Sequence, residues 1–99
     1  MLVPIDPRIV GAIAGRRLIQ FVYDGRTRIA EPHDYGVRNG TAQLLVYQIG
    51  GQSRSGGLPE WRCVKVAGLS ALQILDATFD GPREGGRHHE WEQLFATVR

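Results

Sequence analysis

Short apolar runs separated by glycine turns dominate residues 18–75 of this chain. Asp24-Gly25 and Asn39-Gly40 each stand between two such runs, and both pairs are typical of two-residue hairpin turns. The pattern predicts strands at residues 18–23, 27–35, 41–49, 61–66 and 71–75. Five short, closely spaced strands predict a mainly β fold, namely a small antiparallel barrel of the SH3-like or Sm-like type.

A short helix is predicted ahead of the first strand. Asp6 suits the position that caps a helix, and Pro7 suits its first turn. Ile9 and Ile13 then fall on one face, and Gly15 is typical of a helix end. The helix has only about two turns, so it requires packing against the sheet to persist.

The end of the chain follows a different pattern. Residues 80–87 are rich in glycine, proline and charge, which predicts a linker. Apolar residues then recur at the spacing of one helical face: Trp91, Leu94, Phe95 and Val98. This spacing predicts an amphipathic C-terminal helix over about residues 89–98. The chain therefore divides into a barrel domain with its N-terminal helix at 1–79, and a linker with a helix at 80–99.

The third strand is predicted to be central. Leu44, Leu45 and Val46 form a continuous apolar run, which indicates burial on both faces. In the second strand, Pro32 predicts an edge, a bulge or a bend, because proline has no backbone N–H. The predicted core comprises Ile13, Phe21, Ile29, Leu45, Val64, Val66, Leu72 and Ile74.

Composition narrows the function only slightly. The chain has 99 residues, which suits one small domain, and its net charge of +2 does not by itself argue for nucleic-acid binding. Eleven of its twelve basic residues are arginine. Arginine has a planar fork that suits phosphates and carboxylates. The same bias also fits a GC-rich genome, since alanine and glycine are plentiful too.

Several classes of protein are not expected. Cys63 stands alone, which excludes an internal disulfide and a cysteine zinc site, and no metal or cofactor is predicted. The N-terminus lacks the features of a signal peptide, and no apolar run approaches the roughly 20 residues of a membrane span. We therefore expect a cytoplasmic protein without a membrane partner.

An enzyme is also not expected. His33 beside Asp34 offers a general base, but no serine or cysteine nucleophile lies near it in sequence. His89 and Glu92 share a face of the predicted C-terminal helix, but two ligands are too few for a stable metal site. A hydrogen-bonded histidine and a solvated helix start are the simpler interpretations.

Two segments together resemble the WYL domain family. Residues 12–32 hold Ala-Ile-Ala-Gly, Leu-Ile, a tyrosine and Arg-Ile-Ala-Glu-Pro in that order, and residues 61–69 read Trp-Arg-Cys-Val-Lys-Val-Ala-Gly-Leu. The resemblance covers about residues 9–79. It implies an Sm-like barrel that binds nucleic acid or a small anionic effector, usually beside a helix-turn-helix domain in bacterial transcription regulators.

The chain departs from that family in two respects. Ala42-Gln43-Leu44 stands where the tripeptide that names the family is expected, and only Leu44 and the later Tyr47 keep the pattern. There is also no room for a helix-turn-helix domain ahead of the barrel. We therefore expect a stand-alone barrel with an altered ligand face.

The resemblance supplies candidate ligand-binding residues. By position, Arg28, Arg62 and Lys65 match the basic positions of the family, and such groups give charge-assisted hydrogen bonds to phosphate. Strand alternation predicts that Arg28 is exposed, and that Arg62 and Lys65 point to opposite faces. Tyr47 is the predicted half-exposed platform for base stacking at the edge of the arginine site. His33 completes the set of candidates.

Two functions follow from these features. The first is a non-catalytic regulatory module that binds single-stranded nucleic acid or a nucleotide-like anion weakly. The alternative is a structural protein without a nucleic-acid ligand, which forms a homodimer through Trp91, Leu94, Phe95 and Val98. Binding that weakens steeply with salt would favour the first function. A concentration-dependent dimer without such binding would favour the second.

Overall fold

The computed structural model describes residues 4–52, 57–85 and 91–99. Within these ranges the chain forms one α-helix and six strands: α1 (Pro7–Ala14), β1 (Arg17–Tyr23), β2 (Arg26–Arg38), β3 (Thr41–Gly51), β4 (Glu60–Lys65), β5 (Ser70–Thr78) and β6 (Gln93–Thr97). A 3₁₀ turn, Val66–Gly68, joins β4 to β5. The mainly β prediction is confirmed, with six strands instead of five. No described helix has the length and apolar character needed to cross a bilayer.

The strands form one antiparallel sheet in the order β4-β3-β2-β1-β5. β2 pairs with β3 along one edge, while its other edge pairs first with β1 and then with β6. Register shifts next to Ala30 and Pro32 interrupt the β2–β3 ladder, so the predicted irregularity at the proline is confirmed. After the 3₁₀ turn, β5 pairs with β1 and not with β4. The described sheet is therefore not closed, and the predicted barrel is wrong.

Both predicted hairpin turns are present. Asp24 and Gly25 have φ angles of 53° and 71°, and Asn39 and Gly40 have φ angles of 53° and 72°. A positive φ at both central residues is the backbone of a type I′ turn, which matches the twist of the flanking strands. These turns fix the register of the β1–β2 and β2–β3 pairs.

The predicted N-terminal helix is also present. An Asp6 carboxylate oxygen accepts a hydrogen bond from the Arg8 backbone N–H at 2.9 Å, which caps α1. The Asp6 N–H in turn donates to the Tyr35 hydroxyl on β2 at 3.0 Å. Ile9 and Ile13 are buried against the sheet. The helix is thus fixed by both its cap and its apolar face.

The predicted C-terminal helix is wrong. Its first two residues, 89 and 90, lie outside the described residues, and the chain that follows forms β6 on the edge of β2. Phe95 packs edge-on against Tyr35, with the ring centroids 5.2 Å apart, and Val98 is buried in the core. Of the four residues predicted to form a dimer interface, only Leu94 is exposed, at 48%. The homodimer stays a prediction.

Backbone pairing outweighs the helical spacing of these apolar residues. Residues 34–37 of β2 pair with β3 on one edge. Their other edge extends beyond the end of β1, and β6 supplies the backbone partners there. Thr97 and Val98 are also β-branched, which favours a strand. The close approach of β6 requires glycine at position 36, because a Cβ on Gly36 would lie 2.2 Å from the carbonyl oxygen of Gln93.

The main core lies between α1 and one face of the sheet, called here the inner face; the opposite face is the outer face. Its buried members are Ile9, Ala12, Ile13, Ile19, Phe21, Ala30, Tyr35, Leu44, Val46, Val64 and Val98. Three predicted core residues belong to it: Ile13, Phe21 and Val64. Leu45 is buried outside this cluster, so the third strand is buried on both faces as predicted. Four predicted core residues are only half-buried: Ile29, Val66, Leu72 and Ile74.

Candidate functional site

Alternation along β3 divides the candidate residues between the two faces of the sheet. Val46 and Gln48 belong to the inner face, and Arg62 on β4 lies opposite Val46. Tyr47 lies between those two β3 residues and faces outward, opposite Trp61. The structure therefore does not place Tyr47 beside the arginines, and the prediction of one combined site is wrong.

Arg28 is buried at the inner face, and its predicted exposure is wrong. The residue is 3% exposed. It shares a strand face with Ala30, which is fully buried, whereas Ile29 between them is only half-buried. Alternation correctly predicted that Arg28 and Ile29 point to opposite faces, but it placed Ile29 and not Arg28 on the buried face. The pattern alone does not show which of two adjacent apolar residues faces inward.

A fixed set of hydrogen bonds holds the Arg28 guanidinium. Its Nη1 donates to the Gln48 side-chain oxygen at 3.1 Å, and its Nε donates to the Tyr23 carbonyl oxygen at 3.3 Å. Gln48 is itself fully buried, and its Nε2 donates to the carbonyl oxygens of Gly50 and Gln52 at 3.0 and 2.9 Å. Because these two bonds orient the amide, its oxygen is left facing the guanidinium.

Positive charges converge around Arg28. Burial is the main cause that lowers the pKa of Arg28; the charges of Arg62 and Arg26 also lower it, whereas Asp24 and Tyr23 act in the opposite direction. Arg62 reaches this region from β4, is partly buried, and forms an ion pair with Glu60. We call Arg28 and Arg62 the arginine pair. The two guanidinium groups repel each other, the Glu60 carboxylate offsets part of that repulsion at Arg62, and a bound anion would reduce it further.

Lys65 lies apart from the arginine pair. It is exposed and stands opposite Gln43, three residues along β4 from Arg62. That separation is about 10 Å in a strand, and alternation places the two side chains on opposite faces, as predicted. Lys65 therefore does not complete a three-residue basic site.

A cleft of about 520 Å³ opens on the outer face. Its lining includes Glu31, Tyr47, Trp61, Asp80, Arg83 and Glu84. The Tyr47 and Trp61 rings meet at a centroid distance of 5.0 Å, and the Trp61 ring also meets His33 at 4.7 Å. We call this feature the aromatic cleft.

An ion pair occupies one wall of the aromatic cleft. The Arg83 Nε and Nη2 atoms donate to the two carboxylate oxygens of Glu31 at 2.6 and 2.8 Å. Glu31 is 3% exposed, and the Arg83 guanidinium also lies over the Tyr47 ring, 4.5 Å from its centroid. The hydrogen bonds to Glu31 raise the pKa of Arg83. The arrangement neutralises a buried carboxylate.

The sequence prediction missed Arg83, because its segment was assigned to a linker. A glycine- and proline-rich stretch gives no indication of what an arginine within it contacts. One residue in the sequence did indicate such a contact, namely Glu31. A carboxylate within a strand that is buried needs a cationic or hydrogen-bonding partner elsewhere in the chain.

His33 is a buried hydrogen-bonded residue beside that ion pair. It is 4% exposed, and its ring stacks on Phe79 at 5.4 Å. Nδ1 lies 2.9 Å from the Glu31 carbonyl oxygen, which can only accept, so Nδ1 carries the proton. Nε2 then accepts from the Arg83 backbone N–H at 3.4 Å. Both ring nitrogens are used in structural contacts, which leaves neither free for a ligand or a reaction.

Acidification should destabilise the protein through His33. Burial is the main cause that lowers the pKa of His33. The unfolded chain therefore binds the proton more readily, so this contribution to stability is complete above about pH 6.5 and is lost as the pH falls below it. Unfolding midpoints measured between about pH 7.5 and 5.5 should fall in the wild type and change less in His33→Asn. Equal slopes in the two proteins would contradict this assignment.

Neither a search for metal-ligand groups nor comparison with known proteins identifies a ligand for these residues. Within residues 4–52, 57–85 and 91–99, no three His, Cys, Asp or Glu side chains are grouped as metal ligands would be. His89, considered above as a ligand, lies outside those ranges. Comparison with protein-family models, curated proteins and solved structures finds no match to this chain. The resemblance to the WYL domain family stays a prediction.

Proposed function

We propose that this chain is a non-catalytic binding module that takes a small anionic ligand at the arginine pair. The observation that carries the proposal is the placement of two arginines on one face: the buried Arg28 bonds to Gln48, and Arg62 lies opposite Val46, the neighbouring inner-face residue of β3. Guanidinium groups form paired, charge-assisted hydrogen bonds to phosphate and carboxylate. A bound anion would relieve the repulsion between the two charges.

The geometry favours a compact anion over an extended nucleic-acid strand. Binding of a strand requires a basic groove with aromatic side chains on the same surface. Tyr47 instead faces the aromatic cleft, where Arg83 is already paired with Glu31 and the carboxylates of Asp80 and Glu84 repel phosphate. We therefore narrow the ligand to a nucleotide-like small molecule whose phosphate group contacts Arg62. Arg28 is buried on the same face and adds its charge.

The resemblance to the WYL domain family adds a role to this proposal. It suggests that anion binding regulates transcription in a bacterium. The alternative function is an interaction protein whose C-terminal segment contacts a second copy. That alternative predicts no anion binding at the arginine pair, so a single set of titrations separates the two.

Calorimetric titration with AMP, inorganic phosphate and adenosine tests the proposal. AMP and phosphate should bind weakly, and adenosine should not bind, because the arginine pair recognises the anionic group. Arg62→Gln should weaken AMP binding roughly 10- to 100-fold, the effect of losing a charge-assisted hydrogen bond. Raising the salt concentration should weaken binding in the wild type more than in this variant.

Two further variants control that experiment. Arg17→Gln removes the same charge from the β1–β5 region, where Arg17 pairs with Asp76, and should leave AMP binding unchanged. Arg28→Gln keeps donor groups toward Gln48 and should weaken binding, provided that circular dichroism shows an intact fold. Absence of AMP binding at low salt, or an equal loss in Arg17→Gln, would overturn the proposal.

A further inference from the structure

We infer that the aromatic cleft is a binding site for a guanidinium group, and that Arg83 is its tethered occupant. The contacts around Arg83 contain both parts of guanidinium recognition. Glu31 binds the forked edge through two hydrogen bonds, and the Tyr47 ring covers the plane at 4.5 Å. The contacts that hold Arg83 involve neither Arg28 nor Arg62, so the inference does not rest on the anion site proposed for the inner face; Glu60, which pairs with Arg62, also lines the cleft.

The cleft has both charge and space for another cation. Among its described lining residues Arg83 is the one cation, whereas four residues contribute carboxylates: Glu31, Glu60, Asp80 and Glu84. The remaining volume of about 520 Å³ lies within the range of small-molecule sites. A cationic ligand is therefore attracted to the cleft, and Tyr47 and Trp61 offer it apolar surface.

Arg83 is the displaceable part of this arrangement. Its side chain is 47% exposed, whereas the Glu31 side chain that binds it is 3% exposed. Residues 79–85 belong to no strand, and the contact that the Arg83 backbone N–H makes with His33 is long, at 3.4 Å. The carboxylate and the two rings form the fixed site, and the arginine enters it from a segment without regular structure.

A guanidinium ligand must compete with the tethered Arg83. A tethered group acts at an effective concentration of about millimolar, so wild-type protein should bind such a ligand only in the millimolar range. The probes are methylguanidinium and two blocked tripeptides, Gly-Arg-Gly and Gly-Lys-Gly. Binding is followed through the Nε–Hε nuclear magnetic resonance signal of Arg83 and the fluorescence of the protein. The arginine peptide should shift the Arg83 signal, and the lysine peptide should bind at least about tenfold more weakly, since ammonium lacks the fork.

The two guanidinium probes distinguish the source of the ligand. Equal affinity for methylguanidinium and for the arginine peptide would indicate a free small molecule. Tighter binding of the peptide would indicate an arginine on a partner chain, with added contacts to the rim of the cleft. Both results support a guanidinium site.

Variants of the occupant and of its carboxylate provide the decisive comparison. Arg83→Ala should bind the arginine peptide at least about tenfold more tightly than the wild type, because competition is removed. Adding Glu31→Gln to Arg83→Ala should abolish that gain. Arg17→Ala, which removes an arginine from another ion pair, should leave affinity unchanged. An Arg83 signal that does not move in the wild type, together with no gain in Arg83→Ala, would show that the ion pair only anchors its segment and would overturn the inference.

Discussion

Replacing Leu44 with alanine should lower the free energy of unfolding by roughly 2–5 kcal/mol. Leu44 is fully buried in the inner core, on the strand that lies between β2 and β4. Truncation there removes apolar contacts and leaves a cavity that paired strands close only in part. Denaturant unfolding gives the measurement. Leu94→Ala is the matched control, because it removes the same atoms from a side chain that is 48% exposed. If both variants lose equal stability, Leu44 does not belong to the central core.

Replacing Gly36 with alanine should weaken the attachment of β6, with a loss of roughly 1–3 kcal/mol or more. The new Cβ would stand 2.2 Å from the Gln93 carbonyl oxygen and 3.0 Å from Trp91, so β6 has to move away. Loss of its pairing also exposes the edge of β2. Amide hydrogen exchange should then show faster exchange at residues 93–98 than in the wild type.

Gly11→Ala is the matched control for that substitution. A Cβ at Gly11 in α1 meets no atom within 4 Å, so this change should be neutral or stabilise the helix by up to about 1 kcal/mol. The comparison separates the steric effect at β6 from the general effect of replacing glycine. Unchanged exchange at residues 93–98 in Gly36→Ala would contradict the close packing of β6 against β2.

The hairpin turns and the helix cap were predicted correctly, because residues close together in sequence determine them. Asp24-Gly25 and Asn39-Gly40 form the expected turns, since few residues adopt positive φ as readily. Asp6 forms the expected helix cap. The C-terminal segment was mispredicted because its conformation depends on the free edge of β2, which lies more than fifty residues away in sequence. Helical spacing alone carries no information about such an edge.

The candidate site was predictable in its residue types but not in its geometry. Arg28 and Arg62 share the inner face of the sheet, and the charge of Arg62 lowers the pKa of Arg28; their binding of a ligand stays a prediction. Alternation placed Arg28 on the wrong face, because it did not identify Ala30 as the core position. Tyr47 was expected beside the arginines. It lies one residue beyond Val46, the residue opposite Arg62, so its side chain points to the other face of the sheet. Tyr47 instead contacts Trp61 and Arg83, and Arg83 comes from a segment without periodicity.

The two faces of the sheet thus offer opposite electrostatics. The inner face gathers Arg28 and Arg62, and the outer face gathers carboxylates around two aromatic rings. The two proposals therefore predict that a phosphate binds at the first face and a guanidinium at the second. The anion-binding function and the guanidinium site can therefore be tested separately in the same protein.

The most direct test of the central claim is to locate where an anion binds. The Nε–Hε signals of the arginines are followed by nuclear magnetic resonance while AMP, and separately adenosine, is added to the wild-type protein. Binding at the arginine pair predicts that AMP shifts the signals of Arg28 and Arg62, that Arg17 and Arg83 stay unchanged, and that adenosine shifts none. Unmoved signals of Arg28 and Arg62 at saturating AMP, or shifts confined to the aromatic cleft, would contradict anion binding at the arginine pair.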